Sequence, residues 1–133
     1  MPADKGMKIL VVDDMGTMRK IVKNMLTKLG YLNVDEADDG KTAWPMIEEK
    51  AKAGDHYSFI ISDWNMPGMQ GIELLREVRK SADEKVKKVK FLMVTAEAEQ
   101  ANVIEAAKAG VNDYVVKPFN QTTLESKFTK LFP

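Results

Sequence analysis

Two adjacent acids, Asp13 and Asp14, close the apolar run Ile9-Leu10-Val11-Val12. A third, Asp63, closes Phe59-Ile60-Ile61-Ser62 and runs straight into the turn chemistry of Pro67-Gly68. The hydroxyl of Thr95 follows Phe91-Leu92-Met93-Val94, and the ammonium of Lys117 follows Tyr114-Val115-Val116. Any one of these groups is most often a helix cap or a turn residue. As a set they read differently. Three carboxylates repel one another, so they invite a cation or a raised pKa. The chain has no cysteine, and its one histidine, His56, precedes the Asp63 run and is expected at the surface, away from these groups. Oxygen-only ligation favours Mg²⁺ or a similar hard ion, which keeps waters and pairs with phosphate oxygens. A lysine point charge and a hydroxyl donor would complete a cradle for phosphoryl oxygens. A carboxylate in that cradle can attack phosphorus to give an aspartyl phosphate. Asp63, borne by the middle run, is best placed to do so.

The elements that must position these groups alternate. Strand-like runs at 8–12, 34–37, 59–61, 91–94 and 113–116 are separated by helical patterns. Met18, Ile21, Val22, Met25, Leu26 and Leu29 recur as one helical face, stopped by Gly30. A second helix follows Asp38-Asp39-Gly40 and runs to about Ala53, but Pro45 is comfortable only in a first turn. A late start capped by Thr42 is therefore expected, with distortion at Pro45 as the alternative. A third helix spans 71–80, a fourth 99–109, and a fifth carries Leu124, Phe128, Leu131 and Phe132 after the cap Asn120. Residues 81–90, with four lysines, read as a solvated loop. Strict alternation with short connections implies a parallel α/β sheet, doubly wound, with five strands and five helices. In such a sheet ligands gather at the carboxyl ends of the strands. If the order were 2-1-3-4-5, strands 1, 3 and 4 would adjoin and the five groups would share one crevice.

At 133 residues the chain suffices for one domain with a real core. Twenty basic and 20 acidic residues balance, giving no reason to expect nucleic-acid or membrane binding. No run reaches membrane-spanning length, and residues 1–6 have no signal-peptide character. They read as a flexible leader before a single domain at 7–133, and the expected setting is the cytoplasm.

The combination of Val11-Val12-Asp13-Asp14, Thr17-Met18-Arg19, Asp63-Trp64-Asn65-Met66-Pro67-Gly68, Val94-Thr95-Ala96-Glu97-Ala98, and Ala109-Gly110-Val111 with Tyr114-Val115-Val116-Lys117-Pro118-Phe119 resembles response regulator receiver domains, most closely those of chemotaxis. The resemblance covers Met7 to the C-terminus and implies a flavodoxin-like sheet of order 2-1-3-4-5. It implies that Asp63 is the phosphoacceptor. It implies that Asp14, Asp63 and the backbone carbonyl of Asn65 bind Mg²⁺, with Asp13 assisting through water. Lys117 would contact the phosphoryl group, Thr95 would move to bond it, and Tyr114 would turn into the vacated space. Asn65 and Glu97 would tune the lifetime of the acyl phosphate. The Lys117–Pro118 bond would be cis, and Trp64 a partly exposed ring beside the acid.

The resemblance also implies a single-domain signalling protein rather than an enzyme, one that assists its own phosphorylation and dephosphorylation. Its donor would be a CheA-like histidine kinase, its target the FliM-like flagellar motor switch protein, with a phosphatase as a further partner. No output domain is expected after the last helix, and a monomer is expected. The partner surface would lie on the fourth helix, fifth strand and fifth helix, around Ala98, Val103, Ala107, Tyr114 and Lys127. A phosphorelay or phosphate-sink receiver is the alternative within the family. Two departures stand out: Met15-Gly16 replaces a bulky residue and serine, which loosens the first helix and removes a cap, and Pro45 is unusual.

Rival readings fit less well. A calcium EF-hand loop opening at Asp63 would need glutamate at its twelfth position, where Leu74 stands. A haloacid-dehalogenase-type phosphatase needs an acid two residues after its nucleophile, and Asn65 cannot protonate a leaving group. A nucleotide-binding flavodoxin-like module would need a glycine-rich phosphate loop, which the chain lacks.

Overall fold

β1 (Ile9–Val12) is buried at all four positions, and β3 (Phe59–Asp63) at all five. Continuous apolar runs of this kind need cover on both faces, which a parallel sheet clad in helices supplies. The computed structural model describes residues 4–96 and 100–133. With β2 (Val34–Ala37), β4 (Lys90–Thr95) and β5 (Asp113–Val116), the strands form one parallel sheet in the order β2-β1-β3-β4-β5. Among the described residues the helices are α1 (Gly16–Lys28), α2 (Gly40–Lys52), α3 (Gly71–Arg79), α4 (Glu84–Lys87), α5 (Gln100–Ala109) and α6 (Gln121–Leu131).

Strand residues alternate between two cores. Leu10, Val12, Ile60, Phe91 and Met93 face α2 to α5, meeting Ile47, Leu74, Leu75 and Val78. Ile9, Val11, Phe59, Ile61 and Val94 face α1 and α6, meeting Val22, Leu26, Leu124 and Phe128. In the second core Phe128 stacks on Tyr31 at 4.3 Å between ring centres and takes Phe59 edge-on at 5.0 Å. The α1 stripe is wider than its core needs. Val22 and Leu26 are buried, Met25 and Leu29 pack at the margin, and Ile21 is exposed. Gly30 ends the helix with φ +98°, a conformation that side-chain-bearing residues avoid. Residues 4–6 turn back on the fold, where the Lys5 ammonium donates to Leu29 O at 2.8 Å and sits over the Tyr31 ring.

Several expectations are corrected. α2 starts early, at Gly40, not late at Thr42. Asp39 is the cap, its Oδ1 accepting from Thr42 N at 3.0 Å. Tertiary packing sets this register: Gly40 N donates to Met69 O at 3.2 Å, and Ala43 and Ile47 are buried. The helix then runs through Pro45, which is exposed. Proline here leaves Lys41 O without its helical amide donor. Pro45→Ala restores that donor and is expected to raise stability by about 1–2 kcal/mol, read as a higher melting temperature.

The 81–90 segment is not wholly loop. Asp83 Oδ1 accepts from Lys85 N at 2.9 Å and Val86 N at 3.2 Å, and the buried Val86 anchors the single turn α4. Among the described residues the helices therefore number six instead of five. His56, expected at the surface and away from the crevice, is largely covered, its Nε2 2.8 Å from Asp83 Oδ2. That contact draws the Asp83 carboxyl below its ordinary range. Trp64, expected partly exposed, is 8 % exposed and belongs to the α2–α5 core.

Candidate functional site

Parallel register carries the strand ends to one edge. Val12 pairs with Ser62, Asp63 with Val94, and Thr95 with Val116. The residue that follows β1 therefore adjoins Asp63 at the end of β3, and the residue that follows β5 stands at the same edge, one strand further across β4. One carboxylate oxygen from each of Asp13, Asp14 and Asp63 lies within 4.8 Å of the others. Asp13 and Asp63 are buried, and Asp14 is exposed. Lys117 reaches in from β5, its Nζ 3.3 Å from Asp13 Oδ2 and 3.3 Å from Asp63 Oδ1. The Lys117–Pro118 bond is cis, and Lys117 N donates to Thr95 O at 2.8 Å. Thr95 is buried and Asn65 exposed. Four of the five groups singled out at the run ends, Asp13, Asp14, Asp63 and Lys117, thus share one crevice, and Thr95 closes the neighbouring strand β4. Glu97 and Ala98 lie outside the described residues.

Burial, reinforced by the Asp13 carboxylate, pushes the Asp63 carboxyl above its ordinary range, and Lys117 opposes the shift. Three carboxylates facing one ammonium leave an excess of negative charge in a small volume. The donors are all oxygen, which fits a hard divalent cation such as Mg²⁺.

Tyr114 is half-buried and borders a cavity of about 10 Å³ shared with Trp64, Met93, Thr95, Val103 and Ala106. That is room for about one water, far short of a ring. Of the expected partner surface, Val103 is half-buried and Ala107 exposed. Lys127 is committed elsewhere. Its Nζ lies 3.1 Å from the buried Asp113 Oδ2, with Lys130 at 3.3 Å. Neither ammonium makes a well-directed hydrogen bond to that oxygen, so the contact is ionic. Burial works against ionising Asp113, but the Tyr114 amide and Lys127 outweigh it and hold the carboxyl below its ordinary range.

Two contributors went unassigned in the sequence. Arg19 Nη1 donates to Asp13 O at 2.7 Å, and its Nε donates to Glu36 Oε1 at 3.2 Å. Gly71, read only as a helix start, lies so close beneath Asp63 that a Cβ there would fall on the Asp63 carbonyl oxygen. The motif Thr17-Met18-Arg19 hinted at the first. Nothing local marks the second.

A family model for the response regulator receiver domain matches residues 9–129. Chemotaxis protein CheY-3 of Vibrio cholerae is 57% identical over 129 residues, covering 97% of this chain and 94% of its own length. Chemotaxis protein CheY of Pseudomonas aeruginosa is 56% identical over 126 residues, covering 95% and 96%. Among solved structures, Vibrio cholerae CheY4 superposes with a TM-score of 0.82 at 34% identity, over 96% of this chain and 99% of its own. The receiver domain of a Pseudomonas aeruginosa sensor histidine kinase, with a magnesium ion coordinated in its active-site cleft, superposes at 0.80 and 31% identity, over 94% and 96%. With matching motifs, sheet order and acidic crevice, the chain belongs to the response regulator receiver family and is of the CheY type.

Proposed function

We propose that this chain is a single receiver domain, residues 7–133, that accepts a phosphoryl group on Asp63 from a CheA-like histidine kinase and then binds a FliM-like flagellar motor switch protein. The observation that carries the reading is the placement of the Lys117 ammonium between Asp13 and Asp63, in a crevice that also holds Asp14. Asp13, Asp14, Asp63 and the Asn65 backbone carbonyl would hold Mg²⁺. When bound, the ion offsets the repulsion between the acceptor carboxylate and the incoming phosphoryl group.

Asp63 attacks phosphorus along the line of the breaking P–N bond, and the donor histidine nitrogen keeps the bonding pair. Desolvation strengthens every charge interaction in the crevice. Lys117, already oriented by two carboxylates, can move onto a phosphoryl oxygen, and the Thr95 hydroxyl can donate to another. Asn65, two residues after the acceptor in sequence, and Glu97, two residues after Thr95, set the rate at which water removes the group. Movement of Thr95 enlarges the small cavity beside Tyr114, so phosphorylation and the position of that ring become linked. The ring lies on β5 against α5, and these two elements with α6 make the surface offered to the motor protein.

Phosphotransfer from purified kinase, followed by binding to a labelled motor-switch peptide, tests both halves. Tyr114→Ala is expected to weaken peptide binding by at least tenfold, as loss of an aromatic anchor does, while phosphoryl uptake stays within about twofold. Uptake without peptide binding in the unaltered protein would replace the motor output with a phosphorelay or phosphate-sink role. Equal binding by Tyr114→Ala would sink the proposed relay.

A further inference from the structure

We propose that Arg19 is a positioning residue for the acidic crevice, holding the Asp13–Met15 turn as a helix cap would. The inference rests on the metal-binding reading of that crevice. α1 begins without a side-chain cap: Met15 stands at the cap position and offers no acceptor. The turn carrying the acid pair therefore lacks the usual tie to its own helix. Arg19, one turn into α1, supplies another. Its guanidinium fork grips Asp13 O with Nη1 and Glu36 Oε1 with Nε, and Lys23 Nζ steadies the far oxygen of Glu36 at 3.7 Å.

Asp13 is then fixed at every polar atom. Its N donates to Ala37 O at 3.1 Å, its Oδ1 accepts from Met15 N at 2.9 Å, its Oδ2 faces Lys117 Nζ at 3.3 Å, and its O is held by Arg19. The peptide joining Asp13 to Asp14 is planar, so pinning the Asp13 carbonyl also sets where Asp14 leaves the chain. Asp14 itself is exposed, so its aim depends on that backbone.

Charge and position make opposite predictions. A cation beside a cation site repels the ion, so an arginine acting through charge alone weakens Mg²⁺ binding, and its removal tightens it. An arginine acting through position strengthens binding, and its removal loosens it.

The experiment is a Mg²⁺ titration followed by tryptophan fluorescence and by calorimetry, on the full chain and on Arg19→Gln, Arg19→Lys and the double variant Met15→Ser/Arg19→Gln. Arg19→Gln is expected to raise the Mg²⁺ Kd about tenfold, the usual scale for outer-shell ligand support. Arg19→Lys keeps the charge but not the fork, and is expected to weaken binding in the same direction. Met15→Ser supplies the missing cap and is expected to recover most of the loss. Phosphoryl uptake at saturating Mg²⁺ is expected to stay within about twofold, so the defect lies in Mg²⁺ affinity. Should Arg19→Gln unfold, Glu36→Gln removes the anchor and leaves Arg19 in place, and a weaker Mg²⁺ Kd is again expected. Unchanged or tighter Mg²⁺ binding in the folded variants overturns the proposal and leaves the metal-site reading standing. No Mg²⁺ binding by the unaltered protein overturns both.

Discussion

Gly71→Ala is expected to cost about 3 kcal/mol or more, at the upper end of overpacking penalties. The new Cβ would fall on the Asp63 carbonyl oxygen, and its other neighbours, Met93 Sδ at 2.9 Å and Asp63 C at 3.1 Å, block retreat. The obstacle is mostly backbone, so no side-chain rotation relieves it. Gly71 N also donates to Trp64 O at 3.0 Å, tying the start of α3 to the residue after the acceptor. Stability and site geometry therefore fail together. A thermal melt should show a drop on the order of 10 °C, and Mg²⁺ binding should weaken in the fraction that remains folded. Gly16→Ala is the control. Its Cβ would meet Arg19 Nη2 at 3.4 Å, an ordinary contact, and no stability loss is expected.

Asp63→Asn is expected to abolish phosphoryl uptake, by about 10³-fold or more, because the amide is no nucleophile. The same change is expected to stabilise the fold at neutral pH by about 1–2 kcal/mol, the scale of other function–stability exchanges. The sign follows from the raised Asp63 pKa, caused by burial and by the Asp13 carboxylate. An acid whose folded pKa lies above its unfolded value binds its proton more tightly when folded. The stability it contributes is complete below the unfolded pKa and is lost as pH rises through the folded one. At pH 7 the unaltered protein bears the full penalty and the asparagine variant does not. Melts from pH 7 down to about 4 should show the two curves converging as Asp63 protonates. Mg²⁺ should raise the melting temperature of the unaltered protein and do so less in the variant. A variant that is less stable at pH 7, or a gap that widens on acidification, would contradict this reading of the acceptor's environment.

The strands and the crevice were legible because their signals are local. Runs such as Ile9–Val12 and Phe59–Ile61 admit little but a doubly covered strand, and each ends in a group with evident chemistry. What the sequence hid depends on which backbone lies against which. The rule against interior proline favoured a late α2, yet Gly40 fits beneath Met69, where a Cβ would come within 2.7 Å of Met69 Cγ, and Asp39 caps from there. A lysine-rich stretch concealed α4, because its determinants are one aspartate cap and one buried valine. His56 is held by Asp83, 27 residues later, a pairing that no local pattern announces. Trp64 is buried because it joins the α2–α5 core, beside Val103 and Ala106 of α5, and the role of Gly71 exists only once α3 is docked against β3.

The central claim is that Asp63 takes up a phosphoryl group in a metal-dependent site. Intact mass after incubation with a small-molecule phosphodonor, with and without Mg²⁺, on the unaltered protein and on Asp63→Asn, tests it most directly. One phosphoryl group gained with Mg²⁺, lost on chelation and absent from the variant, is the predicted result. No gain in the unaltered protein, or the same gain in Asp63→Asn, would contradict the account.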